Sequence, residues 1–296
     1  MQKIFISGCG DIGIRVALQF QAQRSVSRDV QIYAMARQPS QLQRLQALGL
    51  MPIEYDLDMG HSGKLLPTQD SIVFHFAPPP ASGSSDPRMR NLLAACERYG
   101  LPKKLILLST TAVYGDCQGA WIDETTPASP QTDRGRRRLD AELALTHWAQ
   151  QRQLEYVILR VSGIYGEGRY PIERLKQGMA ILREDLSPYS NRIHQDDLAS
   201  VCVAAAEYGK NTEIYNVCDG QPTTMAHYFK SIAAAFGLPA PKELDREQAR
   251  SQLSESMLSY LKDSRRIANQ KMLQELHISL RYPDLSAGLS SLRRDN

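Results

Sequence analysis

Lys3-Ile4-Phe5-Ile6-Ser7-Gly8-Cys9-Gly10-Asp11-Ile12-Gly13 is the stretch that decides the fold. A short apolar run of strand character stops at a G-x-G-x-x-G turn, and the residues that follow (IGIRVALQFQAQ) have the apolar spacing of a helix. In that setting each glycine has a mechanical reason. Gly8 suits a tight turn, Gly10 lets the backbone approach a pyrophosphate, and Gly13 allows the helix to pack closely on the strand. The new helix also offers free N–H groups and a partial positive charge to phosphates. The stretch therefore predicts a dinucleotide site formed by Gly8, Cys9, Gly10, Asp11, Ile12 and Gly13.

The same alternation continues outward. Further strand-like runs, VQIYAMA, PIEYDL, SIVFHFA, KKLILLS and EYVILR, are separated by helical segments such as SQLQRLQALG, DPRMRNLLAACERYG and GRRRLDAELALTHWAQQRQ. Six strands separated by helices predict an α/β fold with a Rossmann-type, doubly wound parallel sheet. Past residue 165 the regular alternation breaks into short pieces punctuated by Pro and Gly, which predicts a smaller C-terminal α/β substrate domain. The expected division is 1–165, with about 195–217, for the dinucleotide domain, and 166–194 with 218–296 for the smaller one. The loop PPPASGSSDP at 78–87 reads as mobile.

The chain of 296 residues has a formal net charge of only +3, so its composition calls for neither nucleic acid nor an anionic membrane as partner. Every apolar stretch is interrupted before the length of a membrane span. The start MQKIFISGCG lacks the pattern of a signal peptide. Cys9, Cys96, Cys117, Cys202 and Cys218 are scattered with no metal spacing, and read as reduced thiols of a cytoplasmic protein with no metal site. His61, His75, His147, His227 and His277 form no ligand cluster and read as structural.

Cofactor preference is read at the end of the second strand, Met35-Ala36-Arg37. NAD sites place a carboxylate there for the ribose 2′-hydroxyl. Arg37 would instead pair with a 2′-phosphate, which favours NADP over NAD, although a solvated loop arginine is the plain alternative. Asp56 and Leu57 would reach the adenine, and Phe76-Ala77-Pro78 the adenosine ribose.

Taken in order, several segments resemble the extended short-chain dehydrogenase/reductase family, which contains the nucleotide-sugar epimerases and dehydratases. They are Gly8 to Gly13, Asp56-Leu57, Phe74-His75-Phe76-Ala77, Ser109 to Gly115 (STTAVYG), Ile158-Leu159-Arg160, Gly163 to Arg169 (GIYGEGR), His194-Gln195-Asp196-Asp197 and Tyr215-Asn216-Val217. The resemblance implies that Thr110 hydrogen-bonds the reacting oxygen, with Thr111 beside it, and that Arg169, Arg192 and His194 border a substrate pocket. It also implies a Tyr-x-x-x-Lys pair for proton transfer and ribose binding. Here Arg134 stands at the Tyr position and Arg138 at the Lys position. The missing Tyr, the approach DCQGAWIDETTPASPQT and the tail motif RYPD are similar to the YeeZ-type atypical branch of that family.

Arg134, Arg138, Ala141, Leu145 and Trp148 form one helical stripe, which directs both arginines inward and leaves Arg136 and Arg137 as the solvated pair. Arginine holds its proton at any accessible pH. It grips phosphate or carboxylate but is no general base. Tyr114 and Tyr165 read as packing residues, His194 as a loop holder and Asp116 as a surface turn. The chain therefore reads either as an enzyme acting on a phosphorylated or nucleotide-linked sugar through non-standard residues, or as a NADP(H)-binding sensor that has lost proton transfer. An empty scaffold is a third reading. The helices around DPRMRNLLAACERYG and RRLDAELALTHWAQ suggest a homodimer by analogy, or simply cover the sheet.

Overall fold

The computed structural model describes residues 2–24, 30–59, 65–254, 257–258 and 261–291; His61 lies outside them. The opening run forms β1 (Gln2–Ser7) and the turn after it leads straight into α1 (Asp11–Arg24). β2 (Val30–Ala36), α2 (Pro39–Ala47), β3 (Met51–Glu54), β4 (Ile72–His75), α3 (Pro87–Tyr99), β5 (Lys104–Thr110), α4 (Asp133–Arg152) and β6 (Glu155–Val161) follow. A seventh strand, β7 (Glu213–Val217), comes after α5 (Gln195–Glu207) and completes a wholly parallel sheet in the order β7-β6-β5-β4-β1-β2-β3.

The order reverses between β1 and β4, so the carboxyl ends of those strands border the crevice where doubly wound sheets take ligands. Both faces of the sheet are covered, as parallel sheets require. On one face Ile4 and Ile6 join Phe20 of α1 and Leu198 of α5. On the other, Phe5 and Val73 join Leu92 of α3 and Leu145 of α4. The apolar stripes of α3 and α4 are thus spent on the sheet. Outward they show Leu143 and an ion pair between Arg90 and Asp140.

A further core, with Tyr165, Tyr170, Leu175, Ile181, Phe229, Ile232 and Leu285, is built from segments on either side of β7. The short strand Arg192–His194 ties this region to Gly163–Tyr165 directly after β6. Ser162 is held by Val217 through both its N–H and its hydroxyl, at 3.0 Å each. These joints set the segments around 190 and 264 over the carboxyl end of β5.

The loop at 78–87, which reads as mobile in sequence, is anchored. Arg88 donates to the Pro78 carbonyl at 2.7 Å, Arg137 to that of Gly83 at 2.6 Å, and the Asp86 N–H donates to Asp140 at 2.7 Å. The guanidiniums that pin it come from neighbouring helices, so the loop's own composition carries no sign of them. No described helix is long and apolar enough to cross a membrane.

Candidate functional site

Gly8 has φ +85°, and a Cβ there would lie 2.4 Å from the Ala77 nitrogen, so only glycine fits where β1 and the end of β4 meet. Gly10 is the opposite case. A Cβ built on it meets nothing within 4 Å, because its backbone faces open space at the start of α1. Behind the turn, Gln41 donates to the Cys9 carbonyl at 2.8 Å and Cys9 N–H to the Met35 carbonyl at 2.8 Å. Gly10 thereby gains a fixed platform with room above it.

The turn opens on a cleft of about 330 Å³, lined by Gly8, Cys9, Gly10, Arg37, Asp56, Leu57, Ala77 and Pro78 from the sequence reading. Met35, Gln38, Gln41, Tyr55 and Arg88 complete the lining. Arg88 lies outside the glycine and strand-end motifs and reaches the cleft from the first turn of α3. Arg37 donates to Asp58 at 3.2 Å and lies 3.7 Å from Asp56, while Arg88 holds Asp58 through two bonds of 2.6 and 2.7 Å.

Other residues assigned to the dinucleotide sit beside the cleft. Phe76, just past the end of β4, packs into the core against Phe74, while Ala77 and Pro78 line the cleft. Ile12 is buried. Asp11, in the first turn of α1, pairs with Arg169 at 2.9 Å and with Arg15 at 3.3 Å. Arg169, expected at the substrate, therefore lies at the glycine turn instead and offsets the negative charge of Asp11 there.

A second cavity, of about 300 Å³, contains Thr110, Thr111, Ala112, Arg134, Ser162, Gly163 and Arg192. Tyr189, Ser190, Asn191, Met225, Asp263 and Arg265 close it. The Thr110 hydroxyl accepts from the Ala112 N–H at 3.3 Å, which leaves its proton for a ligand oxygen. The Arg192 guanidinium stacks 4.0 Å from the Tyr228 ring centroid, and its buried Nε has no protein partner among the described residues. Arg265 reaches the Gly115 carbonyl at 2.6 Å and Asp263 at 3.2 Å, joining the C-terminal segment to the V-Y-G turn. Asp116 serves the same joint by accepting from the Ser264 N–H at 2.9 Å.

Helix α4 connects the two cavities. Its stripe faces inward as the spacing requires, with Ala141, Leu145 and Trp148 buried, Arg134 in the second cavity and Arg138 over the wall of the first. Arg138 donates to the Ala77 carbonyl at 3.5 Å; burial works against its charge, and the carboxylates of Asp86 and Glu142 offset part of that. Arg137 departs from the solvated reading: it is buried and holds Gly83, whereas Arg136 stays exposed and pairs with Asp133. The difference arises because the 78–87 loop covers the flank of α4 on which Arg137 projects.

Below the second cavity lies a buried polar chain. Glu142 accepts from Ser109 and from Arg160, the latter at 2.8 Å, and Arg160 lies 4.7 Å from the centre of the Tyr114 ring. Tyr114 donates to Asn216 at 2.8 Å, and burial pushes its hydroxyl above the ordinary range. Tyr165 donates to the Asp284 carbonyl at 3.0 Å and is likewise raised by burial.

His194 is absent from the lining of the second cavity. It caps α5 by accepting from the Asp196 N–H at 3.2 Å and stacks on Tyr282 with ring centres 3.8 Å apart. Burial lowers its pKa to about 4, so it is neutral. Asp219, whose N–H donates to the Arg192 carbonyl, is pushed by burial to about 7. Among the described residues no cluster of His, Cys, Asp or Glu is placed to hold a metal.

Comparison with known proteins fits this geometry. Residues 88–218, from α3 through β7, match the NAD dependent epimerase/dehydratase family. Protein YeeZ of Escherichia coli (strain K12) is 28% identical, over 96% of this chain and 97% of its own. A structure described as a functionally unknown conserved protein from Silicibacter pomeroyi superposes with a TM-score of 0.81 at 29% identity, covering 100% of this chain and 99% of that one. A dTDP-glucose 4,6-dehydratase from Bacillus anthracis, solved in complex with NAD, shares the fold at a TM-score of 0.76 and 19% identity, over 98% and 95% of the two chains. At α4, Arg134 and Arg138 occupy the places the resemblance gives to Tyr and Lys.

Proposed function

We propose that the chain binds a nicotinamide dinucleotide, NADP in preference to NAD, and takes an anionic small molecule, a phosphorylated or nucleotide-linked sugar, in the cavity beside it. The observation that carries this reading is Gly10: a backbone open to space at a helix N-terminus, above a cleft that also contains Arg37 and Arg88. A pyrophosphate would lie on Gly8 to Gly10, the adenosine between Leu57 and Pro78, and the far ribose near Arg138. When bound, the dinucleotide supplies hydride chemistry at a carbinol carbon.

The chain's own residues would do the rest. Thr110 would polarise the reacting oxygen through a hydrogen bond from its hydroxyl, without transferring the proton, and Arg134, Arg192 and Arg265 would hold the negative charge of the ligand. On this reading 166–194 and 218–296 act as the substrate side of the molecule. Arg134 cannot take a proton. That favours a second reading, a sensor that reports dinucleotide state without turnover.

Calorimetry with NADP and NAD, followed by assay of reduced nicotinamide with UDP-glucose and with glucose 1-phosphate, tests both. The first reading expects micromolar or tighter NADP binding and turnover or epimer formation with one of these sugars. The second expects different affinity for oxidised and reduced cofactor with no turnover. No binding of either dinucleotide would refute the proposal. A homodimer through α3 and α4 would have to use their outer faces around Leu143, and light scattering reads it directly.

A further inference from the structure

Arg37 leaves the end of β2 and Arg88 rises from the first turn of α3, and both line the adenosine cleft. One carboxylate bridges them. Arg88 grips both oxygens of Asp58, through Nε at 2.6 Å and Nη2 at 2.7 Å, while Arg37 donates to one of the same oxygens at 3.2 Å. The carboxylate is presented by a turn in which the Asp58 N–H donates to Asp56 at 3.0 Å. Arg88 is itself fixed by the Pro78 carbonyl at 2.7 Å. Its hydrogen bonds hold the Asp58 carboxyl below the ordinary carboxylate range, so this anion is present at any working pH.

Two guanidiniums converging on one anion, one of them in a bidentate fork, is the arrangement by which proteins hold a phosphate monoester. We infer that Arg37 and Arg88 together form the clamp for the cofactor's 2′-phosphate, and that Asp58 is the chain's own substitute anion, occupying the clamp until that phosphate displaces it. The inference rests on the dinucleotide reading and adds two residues to it, Arg88 and Asp58, that the glycine and strand-end motifs do not indicate.

The chemistry sets the direction. A phosphate of nearly two negative charges and a carboxylate repel at hydrogen-bond distance, so both cannot sit between the same two arginines. NADP binding must therefore expel Asp58, which is 38% exposed and has water to turn into. NAD carries no such phosphate and leaves the bridge intact. Asp58 thus weakens NADP without touching NAD, and its strength tunes the ratio between them.

The test measures dissociation constants of the whole chain for NADP and NAD by calorimetry at one fixed salt concentration. Asp58→Asn keeps the shape and removes the competing charge; NADP binding is expected to tighten about fivefold, roughly 1 kcal/mol, with NAD changing less than twofold. Arg37→Met and Arg88→Met are each expected to weaken NADP about tenfold or more and to leave NAD within about threefold. Arg88→Met also loses the anchor at Pro78, so Arg37→Met and Asp58→Asn carry the argument if that variant folds poorly. If Asp58→Asn weakened NAD and spared NADP, Asp58 would be a ribose-binding acid and the clamp would be overturned. If it moved neither or both alike, the clamp would fail while the dinucleotide site stood. Absence of any dinucleotide binding to the unaltered chain would remove site and clamp together.

Discussion

Arg160 closes on Glu142 through bonds from Nε and Nη2, the shortest 2.8 Å, with the two side chains only 6% and 4% exposed. The pair joins β6 to α4 directly under the V-Y-G turn. A buried ion pair contributes little net stability when intact, yet loss of one partner leaves an uncompensated charge. Glu142→Ala should therefore destabilise the fold by about 3 kcal/mol or more in denaturant titrations, with Arg160 stranded and Ser109 unpaired. The double replacement Glu142→Leu with Arg160→Met should cost markedly less than the single one.

Gly8 and Gly10 separate folding from binding. Gly8→Ala forces a Cβ against Ala77 at positive φ and should lower the melting temperature as well as abolish dinucleotide binding. Gly10→Ala meets no atom within 4 Å, so the melting temperature should hold while the dissociation constant for dinucleotide rises about tenfold or more. Equal effects of both variants on both measurements would contradict the placement of a pyrophosphate over Gly10.

Arg134 and Arg138 should divide their labour. Arg134→Ala should weaken a phosphate-bearing sugar about tenfold in calorimetry and spare the dinucleotide, whereas Arg138→Ala should do the reverse. If the Arg134 variant bound the sugar as well as the parent chain does, the anionic reading of the second cavity would be lost.

Asp219 predicts a pH dependence of stability. Burial raises its carboxyl to about 7, against about 3.9 in an unfolded chain. The folded state thus holds this proton more tightly, so the contribution is fully present below pH 4 and is lost as pH rises through 7. Between those values stability should fall by up to about 1.4 kcal/mol per pH unit from this group alone. Melts of the parent chain and of Asp219→Asn from pH 5 to 8 should show a shallower decline for the variant.

Much of the fold was legible because its first layer is local. β1, the glycine turn and α1 carry their own periodicity, and the six apolar runs read from sequence are six of the seven strands. The seventh, Glu213–Val217, is only five residues long and its partner β6 is over fifty residues away in sequence; the resemblance at Tyr215-Asn216-Val217 places it with the dinucleotide domain without marking it as a strand. The same limit governs the sites. Gly8, Gly10, Arg37 and Ala77 announce themselves by position in a motif. Arg88, Asp58, Arg265 and Asp263 matter only because distant segments meet. Arg169 and His194 were read from motifs that fixed their neighbourhood but not their partners, which proved to be Asp11 for one and the start of α5 for the other.

Helix α4 places Arg134 in one cavity and Arg138 on the wall of the other, just over one turn or about 6 Å apart along the axis. A rod that short does not bend between them. Arg138 reaches the Ala77 carbonyl and Arg137 that of Gly83, so the helix that carries Arg134 is also fastened to the wall of the first cavity. The two chambers thus share one helix as a common wall. By thermodynamic reciprocity, whatever factor the dinucleotide imposes on the affinity of the anionic ligand, that ligand must impose in return.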